Sequence, residues 1–282
     1  MPLILLLKLL LVPSLIYAVT LVGRRWGPGV AGWMSAFPIV SGPILLTVTL
    51  EQGAAFAARA AEGTLLAVIA VLVFSIAYAW TAERFGMAVS MLGALLAWAL
   101  AVAGLQAVQL PVAACFAMVV GALLIAPKLF PRVRPDGSDQ ALASARPVAG
   151  AAPASDLPWR MLAGAALVLA VSYGAAAIGA RLSGFFAMFP VMSTVLVGFS
   201  HVRSGRAFAV ALLRGMVFGY FAFATFCLVL SLLLREGSAA AAFGAAFAGA
   251  LAVQLAVKRL MAKPAVSAGA PLARPAAGKS RS

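Results

Sequence analysis

Apolar runs, each about as long as a membrane-spanning helix, follow one another along this chain. A bilayer core needs about 20 apolar residues per helix. Hydrophobic residues make up 64% of the sequence and its mean hydropathy is +1.07, which is more apolar surface than a water-soluble domain can bury. The sequence therefore predicts an all-α, multi-pass membrane protein. The nine candidate spans are approximately residues 2–23, 28–49, 63–82, 86–106, 110–127, 159–180, 184–202, 207–234 and 238–257.

Basic residues are distributed unevenly between the two sides that nine crossings define. Seventeen of the 21 lysines and arginines fall on the side opposite the N-terminus, and four fall on the N-terminal side: Lys8, Arg59, Arg181 and Arg235. The positive-inside rule places the more basic side in the cytoplasm. We therefore predict a bacterial-type inner (plasma) membrane protein with its N-terminus outside and its C-terminus in the cytoplasm.

Two segments differ in composition from the apolar runs. Residues 131–157 are rich in Pro, Ala and Ser and carry charge, which is typical of a flexible linker. This cytoplasmic linker would join membrane regions 1–130 and 158–261, and residues 262–282 would form a basic, disordered tail. The net charge of +14 is concentrated at helix ends and in these segments, so it indicates a lipid bilayer rather than nucleic acid as the partner.

The second membrane region repeats part of the first. At an offset of 152 residues, Gly32–Glu83 aligns with Gly184–Arg235 without a gap. Matches at glycine, proline and serine are informative, because these residues impose backbone geometry. The main identities are Gly32/Gly184, Phe37/Phe189, Pro38/Pro190, Ser41/Ser193, Gly53/Gly205, Phe56/Phe208, Gly63/Gly215 and Phe74/Phe226.

The predicted topology gives the two copies opposite directions. Predicted helices 1–3 match helices 6–8, and an offset of five helices reverses the direction of each crossing. We therefore expect two inverted-topology repeats of five and four helices, an arrangement found in many secondary transporters. The last helix must match the fourth or the fifth, and the sequence leaves that choice open.

A Phe-Pro-x-x-Ser element recurs in both copies, within predicted helices 28–49 and 184–202. Inside a helix, Pro38 and Pro190 would free the carbonyls of Met34 and Phe186, and Pro43 would make a second break. Broken helices at matching positions of two repeats indicate a transporter's binding site, although a simple kink would also explain them. The candidate substrate-binding residues are Phe37, Pro38, Ser41, Pro43, Phe189, Pro190 and Ser193.

Acidic residues are scarce and lie outside the centres of the predicted spans. Glu62 and Arg214 occupy equivalent repeat positions on opposite faces, so we expect no ion pair between them. The absence of predicted buried charge favours a neutral or amphiphilic solute. His201 is placed at a helix end without an obvious partner. We predict no catalytic residue, no metal site and no cofactor.

The element and its surroundings resemble small bacterial inner-membrane proteins of the GlpM-like kind. The segments that carry the resemblance are AGWMSAFPIVSGPILLTV, residues 31–48, and SGFFAMFPVMSTVLVG, residues 183–198. The resemblance implies that each half is one four-helix unit with a Gly-x-x-x-x-(Phe/Leu)-Pro segment in its second helix. It names no substrate, and the first half departs from it by one extra helix.

These patterns favour an inner-membrane secondary transporter or permease for a small neutral or amphiphilic solute. Alternating access would take place around broken helices 2 and 7, with Ser41 and Ser193 as polar contacts and Phe37 and Phe189 as walls or gates. A non-transporting scaffold or accessory protein of envelope biosynthesis is the alternative. A membrane enzyme is disfavoured because the nearest nucleophile motif, at 198–201, lacks its second glycine. The oligomeric state stays open, and a homo-oligomer is one option.

Overall fold

The computed structural model of the chain describes residues 2–38, 41–132, 157–176 and 189–262. Within these ranges the regular structure is helical, as the composition predicts. Residues 133–156 of the predicted linker and 263–282 of the predicted tail lie outside the described ranges. In chain order the described helices are α1 (Pro2–Trp26), α2 (Pro28–Ser35), α3 (Ser41–Gln52), α4 (Ala54–Thr81), α5 (Met87–Leu105), α6 (Val112–Leu129), α7 (Leu157–Ala176), α8 (Val191–Leu233) and α9 (Ala239–Ala262).

Five of the described helices are long and apolar enough to cross a membrane: α4, α5, α6, α8 and residues Ala239–Leu260 of α9. The end of α5 at Leu105 and the start of α6 at Val112 confirm that the long apolar stretch around Gln106, Gln109 and Pro111 contains two helices. These helices agree with the predicted membrane class, and the full count of nine spans stays a prediction.

Several hydroxyl side chains inside the helices bond to the backbone of their own helix. Thr49, Thr64 and Thr225 each donate a hydrogen bond to the carbonyl four residues earlier, at 2.7–2.9 Å. Ser75 does the same with the carbonyl of Val71 at 2.8 Å. Backbone and hydroxyl groups must find partners within the protein at membrane depth, and this back-bonding provides them.

The predicted helix 28–49 is wrong as a single helix. It is interrupted between Ser35, where α2 ends, and Ser41, where α3 begins. Proline has no backbone N–H and disfavours helical geometry in the residue before it, so the chain leaves the helix ahead of Pro38. The next predicted helix, 63–82, begins earlier than expected, at Ala54, because the alanine-rich stretch that precedes the apolar run is also helical.

Glycine divides the helices at two positions that are 152 residues apart. Gly53 separates α3 from α4 with φ 85° and ψ 163°, and Gly205 interrupts α8 with φ 83° and ψ 170°. Positive φ at these angles is a conformation that glycine adopts readily and other residues do not. The break at Gly205 agrees with the predicted division between runs 184–202 and 207–234.

The backbone after each glycine follows the same course. Helix α4 covers 54–81, and the second segment of α8 covers 206–233, the same positions plus 152. Each helix is followed by a five-residue turn, at 82–86 and 234–238. The N–H of Phe85 donates to the carbonyl of Thr81 at 2.9 Å, and the N–H of Gly237 donates to the carbonyl of Leu233 at 3.0 Å. Helices α5 and α9 then begin at equivalent positions.

The equivalent helices run antiparallel to each other. At one end of the pair formed by α4 and 206–233, Arg235 makes an ion pair with Glu62. At the other end, Arg206 Nη1 donates to the carbonyl of Glu83 at 3.3 Å. Helices α1 and α7 are also antiparallel. Gly164 of α7 packs against Val12 and Ile16 of α1. Arg160, one turn earlier in α7, shares a cavity with Thr20 and Arg24, which come later in α1.

The C-terminal end of α6 is held by both halves of the bundle. Trp80 Nε1 of α4 donates to the carbonyl of Leu129 at 2.8 Å. Arg214 Nη2 of α8 donates to the carbonyls of Phe130 and Pro131, at 3.4 and 2.6 Å. As expected, Arg214 and Glu62 are not paired with each other, since Glu62 pairs with Arg235. Helix α6 therefore packs across α4 and α8, which are the most buried of the five candidate spans.

Glycines bring α2 into backbone contact with α8. A Cβ atom added at Gly32 would lie 2.8 Å from the N atom of Met216, and one added at Gly219 would lie 2.6 Å from the Cβ of Ala36. A Cβ at Gly215 would meet the backbone of Gly29. Small residues at membrane helix interfaces allow such close approach. The close contact of α2 is thus with residues 212–219, which belong to predicted helix 8.

Candidate functional site

The first helix break lies between α2 and α3. The N–H of Phe37 donates to the carbonyl of Met34 at 3.2 Å, so the prediction that Pro38 frees the Met34 carbonyl is wrong. The chain has already left the helix, and the Trp33 carbonyl also loses its i+4 donor, because Phe37 bonds to Met34 instead. Gln254 of α9 replaces this partner by donating from Nε2 to the Trp33 carbonyl at 3.0 Å.

The prolines of both elements precede new helices instead of interrupting old ones. The carbonyl of Pro38 accepts the N–H of Gly42 at 3.0 Å, and the carbonyl of Pro190, which caps α8, accepts the N–H of Thr194 at 2.7 Å. Phe186, whose carbonyl was predicted to be freed, lies outside the described residues. Pro43 falls in the first turn of α3, where a helix needs no N–H donor, so the predicted second break is wrong.

Each break is covered by a helix from the other half of the chain. A Cβ atom at Gly42, beside the first break, would meet the ring of Phe247 in α9. At the second break, the ring of Phe189 packs edge-on against Trp98 of α5, with centroids 5.1 Å apart. Phe37 and Phe189 are both partly buried against the core. The predicted site residue Phe189 thus meets α5 of the opposite half, and Gly42, which adjoins the predicted Ser41, meets α9.

The two predicted serines have different environments. Ser193 is 2% exposed, and its hydroxyl donates to Met216 Sδ at 3.2 Å. The side chain of Tyr220 also lies within hydrogen-bonding reach of Ser193. Ser41 is only partly buried at the start of α3. The second element therefore contributes a buried polar cluster, formed with side chains of the segment 206–233.

A large apolar cavity, partly open to the surface, adjoins Phe189-Pro190 and the start of α8, which is called the second break below. It measures about 680 Å³ and lies between α5, α7 and α8, where Met91, Leu167, Thr194 and Phe199 are among its lining residues. The Thr194 hydroxyl oxygen is buried without a hydrogen-bond partner in the described part of the chain. Thr194 directly follows Ser193, so the predicted element reaches the cavity through its immediate neighbour.

Three polar residues near these features were missed or misjudged from the sequence. Tyr78 is fully buried, and its hydroxyl lies 2.6 Å from Nδ1 of His201, which therefore has a partner 123 residues away in the sequence. No prediction was made for Gln254, an amide in an apolar run. Arg160 is 5% exposed, so the argument from an absence of buried charge is wrong. Arg160 was counted among the basic residues of the cytoplasmic side, at the start of predicted helix 159–180, and it lies in the first turn of α7.

No group of three or more His, Cys, Asp or Glu side chains within the described ranges could hold a metal ion. The two cysteines, Cys115 and Cys227, are buried and unbonded to each other. Comparison with protein-family models, with curated proteins and with solved structures finds no match for this chain.

Proposed function

We propose that the chain is a small inner-membrane transporter that moves an amphiphilic solute by alternating access between two inverted repeats. The observation that carries this proposal is the apolar cavity of about 680 Å³ that reaches the second helix break at Thr194. Ligand cavities commonly measure about 300–1,000 Å³ and combine apolar walls with a few polar groups. The hydroxyl of Thr194 would be such a polar contact for an otherwise apolar solute.

The repeat is supported by backbone features that recur at an offset of 152 residues. The breaks at Gly53 and Gly205, the turns that follow α4 and α8, and the starts of α5 and α9 all coincide at this offset. This register favours pairing α9 with α5, which would make α6 the additional helix. The resemblance of each half to GlpM-like units stays a prediction.

Inversion is supported by the antiparallel course of equivalent helices. The ion pair between Glu62 and Arg235 joins two residues that the positive-inside rule places outside. The hydrogen bond from Arg206 to the Glu83 carbonyl joins two residues that it places in the cytoplasm. Each contact links residues assigned to the same face, as the proposed topology requires.

Alternating access follows from the way the halves meet at the breaks. The first break is covered by α9 and the second by α5, so rocking one half against the other would alter both coverings. The Trp98–Phe189 contact would act as a thin gate beside the start of α8. Inverted repeats commonly bind substrate near the midplane, where discontinuous helices meet.

Thiol labelling of Thr194→Cys tests the proposal, in a background where Cys115 and Cys227 are alanine. A membrane-impermeant maleimide would be applied to vesicles of each orientation. We expect modification from both faces, because alternating states would open the cavity to each face in turn and thiolates react where water reaches them. Ser75→Cys is the matched control, because Ser75 is fully buried in α4, and we expect modification from neither face.

Protection of Thr194→Cys from both faces would count against transport. Labelling of Arg206→Cys and Arg235→Cys from the same face would separately refute the inverted topology, since these residues lie at opposite ends of the segment 206–233.

The alternative is a non-transporting scaffold, and the glycine contact between α2 and α8 favours it. Backbone contact at Gly32, Gly215 and Gly219 leaves no room for a solute between these helices. A scaffold of this kind would keep Thr194→Cys unlabelled and would tolerate the Ser41→Ala/Ser193→Ala double substitution without loss of its cellular role.

A further inference from the structure

A second, smaller cavity lies between α1, α2, α7 and α8, on a different face of α8 from the apolar cavity. It measures about 50 Å³, and its polar lining consists of Thr20, Arg24, Arg160, Ser200 and Ser204. A cavity needs about 10–15 Å³ to hold one water molecule, so this one has room for about three to five waters or for one small oxyanion group.

Arg160 is the most deeply placed charged group at this cavity. It is 5% exposed, its Nη1 donates to Ser200 Oγ at 3.5 Å, and its guanidinium carbon lies 5.3 Å from the centre of the Phe199 ring. Arginine stays protonated in proteins, so this position holds a permanent positive charge. Buried ionisable residues in membrane proteins are costly and mark binding or transport sites.

Thr20 gives a second, independent indication that a ligand belongs here. Its side chain is 7% exposed, and its hydroxyl oxygen has no hydrogen-bond partner in the described part of the chain. Buried hydroxyls normally find a partner in the protein, in water or in a ligand. Since Thr20 lines the cavity, an oxyanion there would accept this hydrogen bond.

The fold explains why these residues converge. Helices α1 and α7 run antiparallel, which brings Arg24 near the end of α1 next to Arg160 at the start of α7. Ser200 and Ser204 are four residues apart and therefore share one face of α8. The neighbouring face, at Val195 and Phe199, lines the apolar cavity instead.

We propose that this cavity binds a phosphate group, held by the guanidinium groups of Arg160 and Arg24 and by the hydroxyls of Thr20, Ser200 and Ser204. Guanidinium groups bind phosphate oxygens through charge-assisted hydrogen bonds. A phosphate offers three or four oxygens and can therefore accept hydrogen bonds from guanidinium and hydroxyl groups on several sides at once. The phosphate is either the free ion or the headgroup of an anionic lipid.

Thermal unfolding of the purified full-length protein tests the site and distinguishes the two sources. In detergent, sodium orthophosphate is compared with sodium chloride at equal ionic strength. In nanodiscs, phosphatidylglycerol is compared with phosphatidylcholine alone. A ligand that binds only the folded state raises Tm, and the rise grows with the ratio of ligand concentration to Kd. A rise with orthophosphate indicates a free phosphate site, and a rise with phosphatidylglycerol alone indicates a lipid headgroup site.

Either orthophosphate or phosphatidylglycerol will have raised Tm in the first experiment. Arg160→Gln should weaken the apparent affinity for that compound by about tenfold or more, because it removes the buried guanidinium. Arg84→Gln is the matched control, since Arg84 is exposed and the change in net charge is the same. If Arg160→Gln does not yield folded protein, Thr20→Val is tested in its place. It should also reduce the rise in Tm that the probe produces. The proposal is overturned if neither probe raises Tm beyond its salt or lipid control, or if the variants respond like Arg84→Gln. Labelling of Thr194→Cys does not depend on this outcome, so the two proposals fail separately.

Discussion

Replacing Gly215 with alanine would strain the contact between α2 and α8. The new Cβ would lie 2.9 Å from both the Cα and the carbonyl carbon of Gly29, and closer still to its carbonyl oxygen. Ordinary Cβ contacts lie at 3.4–4 Å, and the atoms in the way are backbone atoms that no rotamer change can move. The two helices would therefore have to separate by about 1 Å, with loss of packing on both sides of the contact.

The expected cost can be bounded from two opposing effects. Overpacking a close contact costs about 1–3 kcal/mol. Alanine is favoured over glycine inside a helix by roughly 0.5–1 kcal/mol, which offsets part of that cost. We expect a net loss of about 1–2 kcal/mol in the free energy of unfolding, which corresponds to a decrease in Tm of about 2–8 °C for a chain of this size.

Thermal unfolding in detergent, followed by tryptophan fluorescence, measures this decrease. Gly244→Ala is the matched control, because Gly244 lies on an exposed face of α9 with no atom within 4 Å of its added Cβ. It should leave Tm unchanged or raise it slightly. Equal Tm values for Gly215→Ala and Gly244→Ala would refute the backbone contact between α2 and α8.

Two further predictions concern single residues at the breaks. Gln254→Leu should lower the free energy of unfolding by about 1–3 kcal/mol, and with it Tm, because the partly buried Trp33 carbonyl loses its donor. Gln109→Leu is the control, because Gln109 is exposed just before α6, and it should change Tm little. An unchanged Tm for Gln254→Leu would show that the carbonyl has another partner. Gly205→Ala should lower the free energy of unfolding by about 1–2 kcal/mol, because alanine is strained at φ 83°. Gly244→Ala is the control, and either chemical denaturation or Tm measures the difference. Tm values for Gly205→Ala as high as those for Gly244→Ala would contradict this.

Much of the helical framework was predictable from apolar run length and from proline and glycine. The separation of α5 from α6 and the break at Gly205 both follow from residues that disfavour helix in otherwise apolar sequence. The earlier start of α4 was not predictable by run length, because its first turns carry Arg59 and Glu62. A hydropathy criterion detects the apolar part of a helix and not its polar extension.

The chemistry around the two Phe-Pro elements was not predictable. Phe37-Pro38 lies between α2 and α3 and Phe189-Pro190 directly precedes α8, yet the carbonyl with a distant partner is that of Trp33, and its partner Gln254 is 221 residues away. Arg160 was misjudged for the same reason, since its burial depends on α1 and α8 packing around it. Contacts between distant segments of an apolar chain leave little trace in local composition.

Helix α6 has a consequence for the energetics of the proposed exchange between halves. In a bundle with perfect two-fold symmetry, exchanging the conformations of the two halves would yield an outward-open state equal in energy to the inward-open one. In the 152-residue register the positions equivalent to α6 fall at 264–281, outside the described residues, and α6 itself is bonded to Trp80 of one half and Arg214 of the other. Under the proposed mechanism, these contacts of α6 would bias the resting equilibrium between the two states.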